Sequence, residues 1–122
     1  MSYSRVQDAL THCGRVRELI LHLDGDWAHT DALTRFRALT FAASRAADDR
    51  ECAGMMRSAD RYALDLFSGS ARENWATEKM SGVEFLRLQI SRVLDAFRDR
   101  LLHLQSVGQA RGDRSGYRKA RG

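Results

Sequence analysis

The sequence contains no proline, only two cysteines and few β-branched residues. Proline is the strongest breaker of helix interiors, so its absence leaves long helices uninterrupted. The residues that dominate the chain, among them leucine, alanine and arginine, are good helix formers. These features predict an all-α protein, and a length of 122 residues fits one domain with a core of its own.

Long apolar segments are also missing from the sequence. No hydrophobic run approaches the roughly 18 residues that a transmembrane helix requires. The first ten residues, MSYSRVQDAL, contain no hydrophobic region of a signal peptide. Cys13 and Cys52 both fall on the apolar sides of predicted helices, which is typical of reduced thiols in a protein core. We therefore expect a cytoplasmic protein that does not enter a membrane.

The longest helical pattern runs from Ser81 to Gly108, where the helix is expected to end. Ser81 and Glu84 have the spacing of a capping box, which satisfies two unpaired backbone N–H groups at the helix start. Apolar residues recur within this helix at steps of three or four, so they share one face. One helix cannot bury such a face alone, so the other helices or a second copy of the chain must cover it. The residues of this predicted interaction face are Leu86, Ile90, Val93, Phe97, Leu101 and Leu104.

A first helix is predicted from about Ser4 to Asp24. Ser4 and Gln7 would form its capping box, and Gly25 would supply the left-handed residue that ends it. Its apolar residues alternate steps of three and four, as in the seam of packed helices. They are Val6, Ala9, Cys13, Val16, Ile20 and Leu23.

Residues 31–68 carry two apolar series that are out of phase with each other. The change falls at residues 48–50, where we predict a turn, with Asp48 and Glu51 capping the helix that follows. One long helix with a stutter is the alternative. The first series is Ala32, Phe36, Leu39, Ala43 and Ala46, and the second is Cys52, Met56, Ala59, Ala63 and Leu66.

A short helix holding Trp75 is predicted next, with Ser70 and Glu73 as its capping box. The complete expectation is an antiparallel bundle of four main helices plus this short one. The apolar faces of the first and last main helices look wider than their neighbours can cover. A homodimer across those two helices is therefore expected.

Positive charge is concentrated at the C-terminus. The net charge of +4 arises entirely from residues 109–122, because residues 1–108 hold 15 basic and 15 acidic side chains. This segment lacks apolar residues apart from alanine and one tyrosine, so we predict a disordered basic tail following a helical domain of residues 1–108. Such a tail can attract RNA, DNA or an acidic partner, with arginine neutralising phosphate and tyrosine stacking on a base. The predicted binding residues are Arg111, Arg114, Tyr117, Arg118, Lys119 and Arg121.

The segment RDRLLH at residues 98–103 resembles the R-x4-6-H signature of the HEPN ribonucleases. Members of that family are small, dimeric, all-helical proteins in which arginine and histidine of two subunits meet at a cleft and cleave RNA without a metal. The resemblance implies that Arg98 stabilises phosphate charge, that His103 acts as acid or base, and that Asp99 orients them. The alternative is an exposed helical surface in which Asp99 and His103 form a local pair four residues apart.

Other chemistry finds little support in the sequence. Glu18 and His22 are four residues apart and acidic residues surround the first loop, but the Glu-x-x-His motif of a di-iron bundle is absent. The sequence also contains no glycine-rich phosphate loop and no Gly-x-Ser-x-Gly motif. We therefore expect no metal and no cofactor.

The favoured function is a small cytoplasmic adaptor or regulator that binds a partner protein, with the basic tail contacting nucleic acid or an acidic surface. The HEPN-like ribonuclease is the alternative.

Overall fold

The computed structural model describes the backbone of residues 3–21 and 30–121, and the side chains of most residues up to 108. Within these ranges the chain forms five helices and no strand. The helices are α1 (Tyr3–Leu21), α2 (Thr30–Ala47), α3 (Arg50–Leu66), α4 (Gly69–Glu73) and α5 (Gly82–Arg121).

The four long helices form a bundle in which each contacts two neighbours. Helix α1 packs against α2 and α5, and α3 packs against the same two helices. Neighbours run antiparallel: Thr40 in α2 contacts Asp60 in α3, whereas Phe36, earlier in α2, contacts Phe67, just beyond α3. The predicted all-α antiparallel bundle of four main helices and one short helix is confirmed.

The core lies between the four long helices and follows the prediction closely on α1 and α3. Every predicted core residue of α3 is buried, and so is each one of α1 up to Ile20. Leu23, the last residue predicted for α1, lies outside the described residues. The small side chains of α3 let its neighbours approach closely. The confirmed positions are Val6, Ala9, Cys13, Val16 and Ile20 on α1, and Cys52, Met56, Ala59, Ala63 and Leu66 on α3.

On α2 the prediction of the buried face is wrong at two positions. Thr40 and Ala47 are fully buried, whereas Leu39 and Ala46, which were predicted there, are half-buried. The predicted positions 36, 39, 43 and 46 advance by fewer residues per turn than the 3.6 of an α-helix, and positions 36, 40, 43 and 47 match that period. A buried threonine is tolerated because its hydroxyl donates a hydrogen bond of 2.6 Å to Oδ1 of Asp60.

Two helices, not one, occupy residues 30–66, as predicted, but the capping residue is Asp49 and not Asp48. The Asp49 carboxylate accepts a hydrogen bond of 3.1 Å from the backbone N–H of Cys52, which satisfies one free donor at the start of α3. Asp48 instead ends α2: it adopts a left-handed backbone with φ of 47°, and its N–H donates to the carbonyl oxygen of Ser44 at 3.0 Å.

The short helix α4 also begins earlier than predicted. Ser68 precedes it and Glu73 is its last residue, so Ser70 and Glu73 do not form the predicted capping box, and Trp75 lies just after the helix. The predicted start of α5 is correct, because the Ser81 hydroxyl accepts a hydrogen bond of 3.1 Å from the backbone N–H of Glu84.

The start of α1 and the end of α5 differ from the predicted ones. Helix α1 begins at Tyr3, which places Ser4 inside the first turn, and its predicted end at Asp24 and Gly25 lies outside the described residues. The helical backbone of α5 continues past Gly108 to Arg121, because a glycine inside a helix costs only about 1 kcal/mol relative to alanine and does not force an end. The side chains of residues 109–121 are not described, so a separate basic arm over residues 109–122 stays a prediction.

Candidate functional site

The predicted interaction face of α5 is covered by the chain itself. Four of its six residues have no exposed surface: they are Leu86, Ile90, Phe97 and Leu101. Val93 and Leu104 are half-buried and pack against the same core, whereas Leu94, which lies beside the predicted face, is fully buried. This face is therefore the interior of the bundle and leaves little surface for a partner.

The three residues of the HEPN-like segment lie on the outside of α5. Arg98, Asp99 and His103 are all exposed. Among the described residues no hydrogen bond or ion pair joins any two of them, so the local Asp99–His103 pair is not formed, and Arg98 and His103 do not meet within one chain. A ribonuclease site of this kind would need a second chain to complete it.

The six predicted binding residues of the C-terminal segment belong to the part of α5 whose side chains are not described. They are Arg111, Arg114, Tyr117, Arg118, Lys119 and Arg121. Among the described side chains, Leu104 is the last on α5 that packs against the core. The predicted role of these six residues in binding nucleic acid or an acidic partner is therefore supported only by the sequence and its positive charge.

A groove of about 480 Å³ lies between α1 and α2. Its floor is apolar: Leu19 and Leu39 are half-buried and pack against the core, and the small side chain of Ala38 leaves space between the two helices. The charged residues of its lining are exposed. They are Arg15 and Glu18 on α1 and Arg35 on α2.

The two arginines of this groove have no partner within the described residues. Neither guanidinium of Arg15 and Arg35 takes part in the hydrogen bonds and ion pairs found there. The described residues show no ion pair of Glu18 with either arginine. Two arginines and one glutamate give the lining one net positive charge. The groove thus combines apolar contact area with guanidinium groups that can pair with carboxylates, and we take it as the candidate functional site.

A second recess, the aromatic cleft, lies where α3 meets the segment after α4. It measures about 410 Å³ and is lined by Ser58, Arg61, Tyr62, Asp65 and Trp75. The indole N–H of Trp75 donates a hydrogen bond of 2.9 Å to Oδ2 of Asp65, and the Tyr62 ring meets the indole edge-on at 5.9 Å. The indole also stacks on the ring of Phe85 at a centroid distance of 5.5 Å. These contacts hold Trp75 in one position.

Two polar clusters bridge helices and have a structural role. Arg17 on α1 donates to the Ser91 hydroxyl at 2.8 Å and to the Asp95 carboxylate at 2.6 Å, both on α5. Arg100 on α5 donates to both oxygens of Asp49 at 3.1 Å. Its guanidinium, together with the Cys52 N–H, holds the pKa of Asp49 at about 2, well below its usual range. Both clusters are satisfied within the chain, so they stabilise the bundle.

Only partial signals for these sites are present in the sequence. Arg15 and Leu19 lie four residues apart, as do Arg35 and Leu39, which is the spacing of neighbours on one helix face. Nothing in the sequence, however, sets the two helices side by side in the register that makes a groove. His22 and most of the acidic residues of the first loop, which were weighed as metal ligands, lie outside the described residues. In the described ranges no group of three or more histidine, cysteine or acidic side chains could hold a metal ion.

Comparison with protein-family models, with curated proteins and with solved structures finds no match to this chain. Among the described helices, none combines the length and the apolar character that spanning a bilayer demands.

Proposed function

We propose that this protein is a non-enzymatic, cytoplasmic adaptor or regulator that binds a partner protein in the groove between α1 and α2. The observation that carries the proposal is the apolar floor of Leu19 and Leu39 flanked by Arg15 and Arg35, which have no partner among the described residues. An exposed arginine loses little by remaining in water, but it forms bidentate bonds with a carboxylate that reaches it. The groove suits an amphipathic helix with acidic residues beside its apolar face.

The basic C-terminal segment supplies a second, less specific contact. It carries five basic residues against Asp113, while the rest of the chain is electrically balanced. Charge of one sign on one segment attracts an acidic surface or nucleic acid at a distance, and this attraction weakens as salt rises. The segment would raise the rate of encounter, and the groove would give the specificity.

The groove is tested with a fluorescein-labelled helical peptide that has leucines on one face and glutamates along both edges. Binding is measured by fluorescence anisotropy against the full chain and an Arg15→Glu/Arg35→Glu variant. We expect the variant to bind at least about tenfold more weakly, since each arginine contributes a charge-assisted contact. The matched control is Arg57→Glu/Arg92→Glu, which changes the net charge equally at exposed positions outside the groove.

The proposal fails if the peptide does not bind, or if the control variant weakens binding as much as the groove variant. A peptide with lysine in place of glutamate should not bind. A second copy of the chain is the competing occupant, and light scattering after size exclusion detects it. A mass of twice 13.8 kDa that falls to the monomer value in Arg15→Glu/Arg35→Glu would assign the groove to a homodimer, at a different place from the predicted one across the first and last main helices.

The basic segment is tested with labelled single-stranded RNA in EDTA. Replacing its five basic residues by glutamine in the full chain should abolish salt-sensitive binding, whereas neutralising five exposed arginines of the body should not. Intact RNA is expected throughout. Cleavage that is lost in His103→Ala would instead support the HEPN-like ribonuclease with Arg98 and His103. The five control arginines are Arg37, Arg45, Arg50, Arg57 and Arg92.

A further inference from the structure

The aromatic cleft contains two opposite charges that do not pair with each other. Arg61 and Asp65 lie four residues apart on α3, the spacing at which an arginine and an aspartate can form an ion pair. Asp65 instead accepts the indole N–H of Trp75 through Oδ2, and Arg61 donates to the Ser58 hydroxyl at 3.4 Å. The described residues include no ion pair for either group.

The contacts that separate these charges leave most of their bonding capacity open. A guanidinium has five N–H donors, and the bond from Arg61 to Ser58 uses one of them at the long limit of a hydrogen bond. Asp65 has its second oxygen, Oδ1, without a hydrogen bond among the described residues. A cationic group and an anionic group are thus both available on the rim of one recess.

The cleft also has an aromatic part, formed by Tyr62 and Trp75, that is held in place. Trp75 is fixed on three sides by Asp65, Tyr62 and Phe85. Aromatic faces attract both apolar groups and cations. A volume of about 410 Å³ falls within the range of pockets that hold small molecules. Binding there would cost little reorganisation, since the Trp75 side chain is already ordered.

We propose that the aromatic cleft binds a small zwitterion of the amino-acid type, which carries an ammonium group, a carboxylate and an apolar side group. The carboxylate pairs with Arg61, the ammonium pairs with Oδ1 of Asp65, and the apolar group lies against Tyr62 and Trp75. The ligand thereby completes the ion pair that Arg61 and Asp65 do not make with each other. A ligand with only one of the two charges satisfies only one side of the cleft.

The test uses the full chain labelled with ¹⁵N and follows the indole N–H resonance of Trp75. A Trp27→Phe background leaves Trp75 as the only tryptophan, so the resonance needs no further assignment. Three compounds are titrated: phenylalanine, phenethylamine, which lacks the carboxylate, and 3-phenylpropionate, which lacks the ammonium. We expect phenylalanine to bind about tenfold more tightly than either analogue, because only it engages both charges.

Two variants, each of which removes one charge, assign the charges. Arg61→Gln should weaken the binding of phenylalanine to the level of phenethylamine, and it should leave the binding of phenethylamine unchanged. Asp65→Asn should weaken the binding of phenylalanine to the level of 3-phenylpropionate. The asparagine amide oxygen can still accept a hydrogen bond from the Trp75 indole N–H. The matched control is Arg57→Gln, an exposed arginine one turn earlier on α3 that does not line the cleft.

The proposal is overturned if the Trp75 resonance does not shift at about 10 mM phenylalanine, a concentration that would reveal even weak affinity. It is also overturned if the three compounds bind equally, which would show a purely apolar recess, or if Arg57→Gln weakens binding as much as Arg61→Gln. Near-ultraviolet circular dichroism of each variant checks that the aromatic wall is intact. The groove between α1 and α2 shares no lining residue with this cleft, so neither outcome bears on the proposed adaptor function.

Discussion

Arg100 on α5 clamps Asp49, the residue that caps α3, with its Nε and Nη2 each 3.1 Å from a different carboxylate oxygen. The side chain of Asp49 is only 14% exposed, and one of its oxygens also accepts the N–H of Cys52. One carboxylate therefore ends the turn between α2 and α3 and fixes that turn to α5. Bidentate, charge-assisted pairs of this kind are among the stronger hydrogen bonds in proteins.

We predict that this clamp makes stability depend on pH between about 4 and 2. The pKa of Asp49 is lowered from 3.8 to about 2, so its contribution to the free energy of unfolding is complete above its unfolded pKa. That contribution is lost as pH falls through the folded value. Asp49→Ala should cost about 1 to 2 kcal/mol at pH 7, the usual effect of removing a helix cap.

Urea unfolding of Asp49→Asn measures how much of the Asp49 contribution to the free energy of unfolding comes from its charge, because asparagine can still cap the helix. The stability gap between the native chain and Asp49→Asn should shrink as pH approaches 2. Asp99→Asn, at an exposed site on α5 without an ion pair among the described residues, is the control. An equal gap at pH 7 and pH 2 would show that the carboxylate charge contributes nothing.

Gly82 and Gly14 should respond in opposite directions to substitution by alanine. At Gly82, the first residue of α5, an added Cβ would lie 1.8 Å from the carbonyl oxygen of Arg72 in α4. Because backbone atoms cannot turn aside, Gly82→Ala should destabilise the protein by about 1 to 3 kcal/mol, as overpacking does. Gly14 is exposed in α1, and beyond its own turn of helix no described atom lies within 4 Å of such a Cβ, so Gly14→Ala should stabilise by up to about 1 kcal/mol.

Chemical denaturation of the two variants beside the native chain checks this pair. The two substitutions add the same methyl group, so they differ only in what surrounds it. A Gly82→Ala protein as stable as the native chain would mean that α4 does not rest on the first turn of α5.

The helical architecture could be predicted because the local signals agree with one another. On α3 the spacing of Cys52 through Leu66 identified all five buried residues, since helix period and apolar character coincide there. On α2 the helix period and the apolar character of the residues conflict. Apolar Leu39 stands next to polar Thr40, and the sequence does not show that Asp60 on another helix satisfies the hydroxyl of Thr40.

The candidate sites depend on the register between helices, and this is why the sequence did not reveal them. Arg15 and Arg35 are twenty residues apart and come together only because α1 and α2 pack with one particular offset. Trp75 was predicted within a short helix, and its approach to Asp65 depends on how the chain turns after α4. Periodicity also indicates which face of α5 is apolar, but not that the chain's own helices cover it.

Neither cysteine should react in the native protein. Burial raises the pKa of Cys52 to about 12 and also raises the pKa of Cys13, and the thiolate is the form that reacts. With Ellman's reagent at pH 8 we expect labelling only as fast as the protein unfolds, and two thiols per chain in urea. Ser106→Cys, at an exposed position of α5, should react at once and serves as the control. Rapid labelling of the native chain would show that one thiol is accessible.

Thr40→Val should destabilise the bundle most at neutral pH. The Thr40 hydroxyl is buried 2.6 Å from Oδ1 of Asp60 and 3.1 Å from the Arg37 carbonyl oxygen, and valine keeps its shape but not its donor. Burial raises the pKa of Asp60, although the Thr40 hydrogen bond and Arg37 act in the opposite direction. The charged carboxylate therefore lowers the free energy of unfolding, and its protonation in acid removes that destabilisation. Losing the donor should lower the free energy of unfolding by about 1 to 3 kcal/mol at pH 7 and by less in acid. Thr40→Ser, which keeps the hydroxyl, should retain more of that stability. Urea unfolding at several pH values measures both variants. The same loss for Thr40→Val at every pH would mean that the charged Asp60 carboxylate does not depend on the hydroxyl.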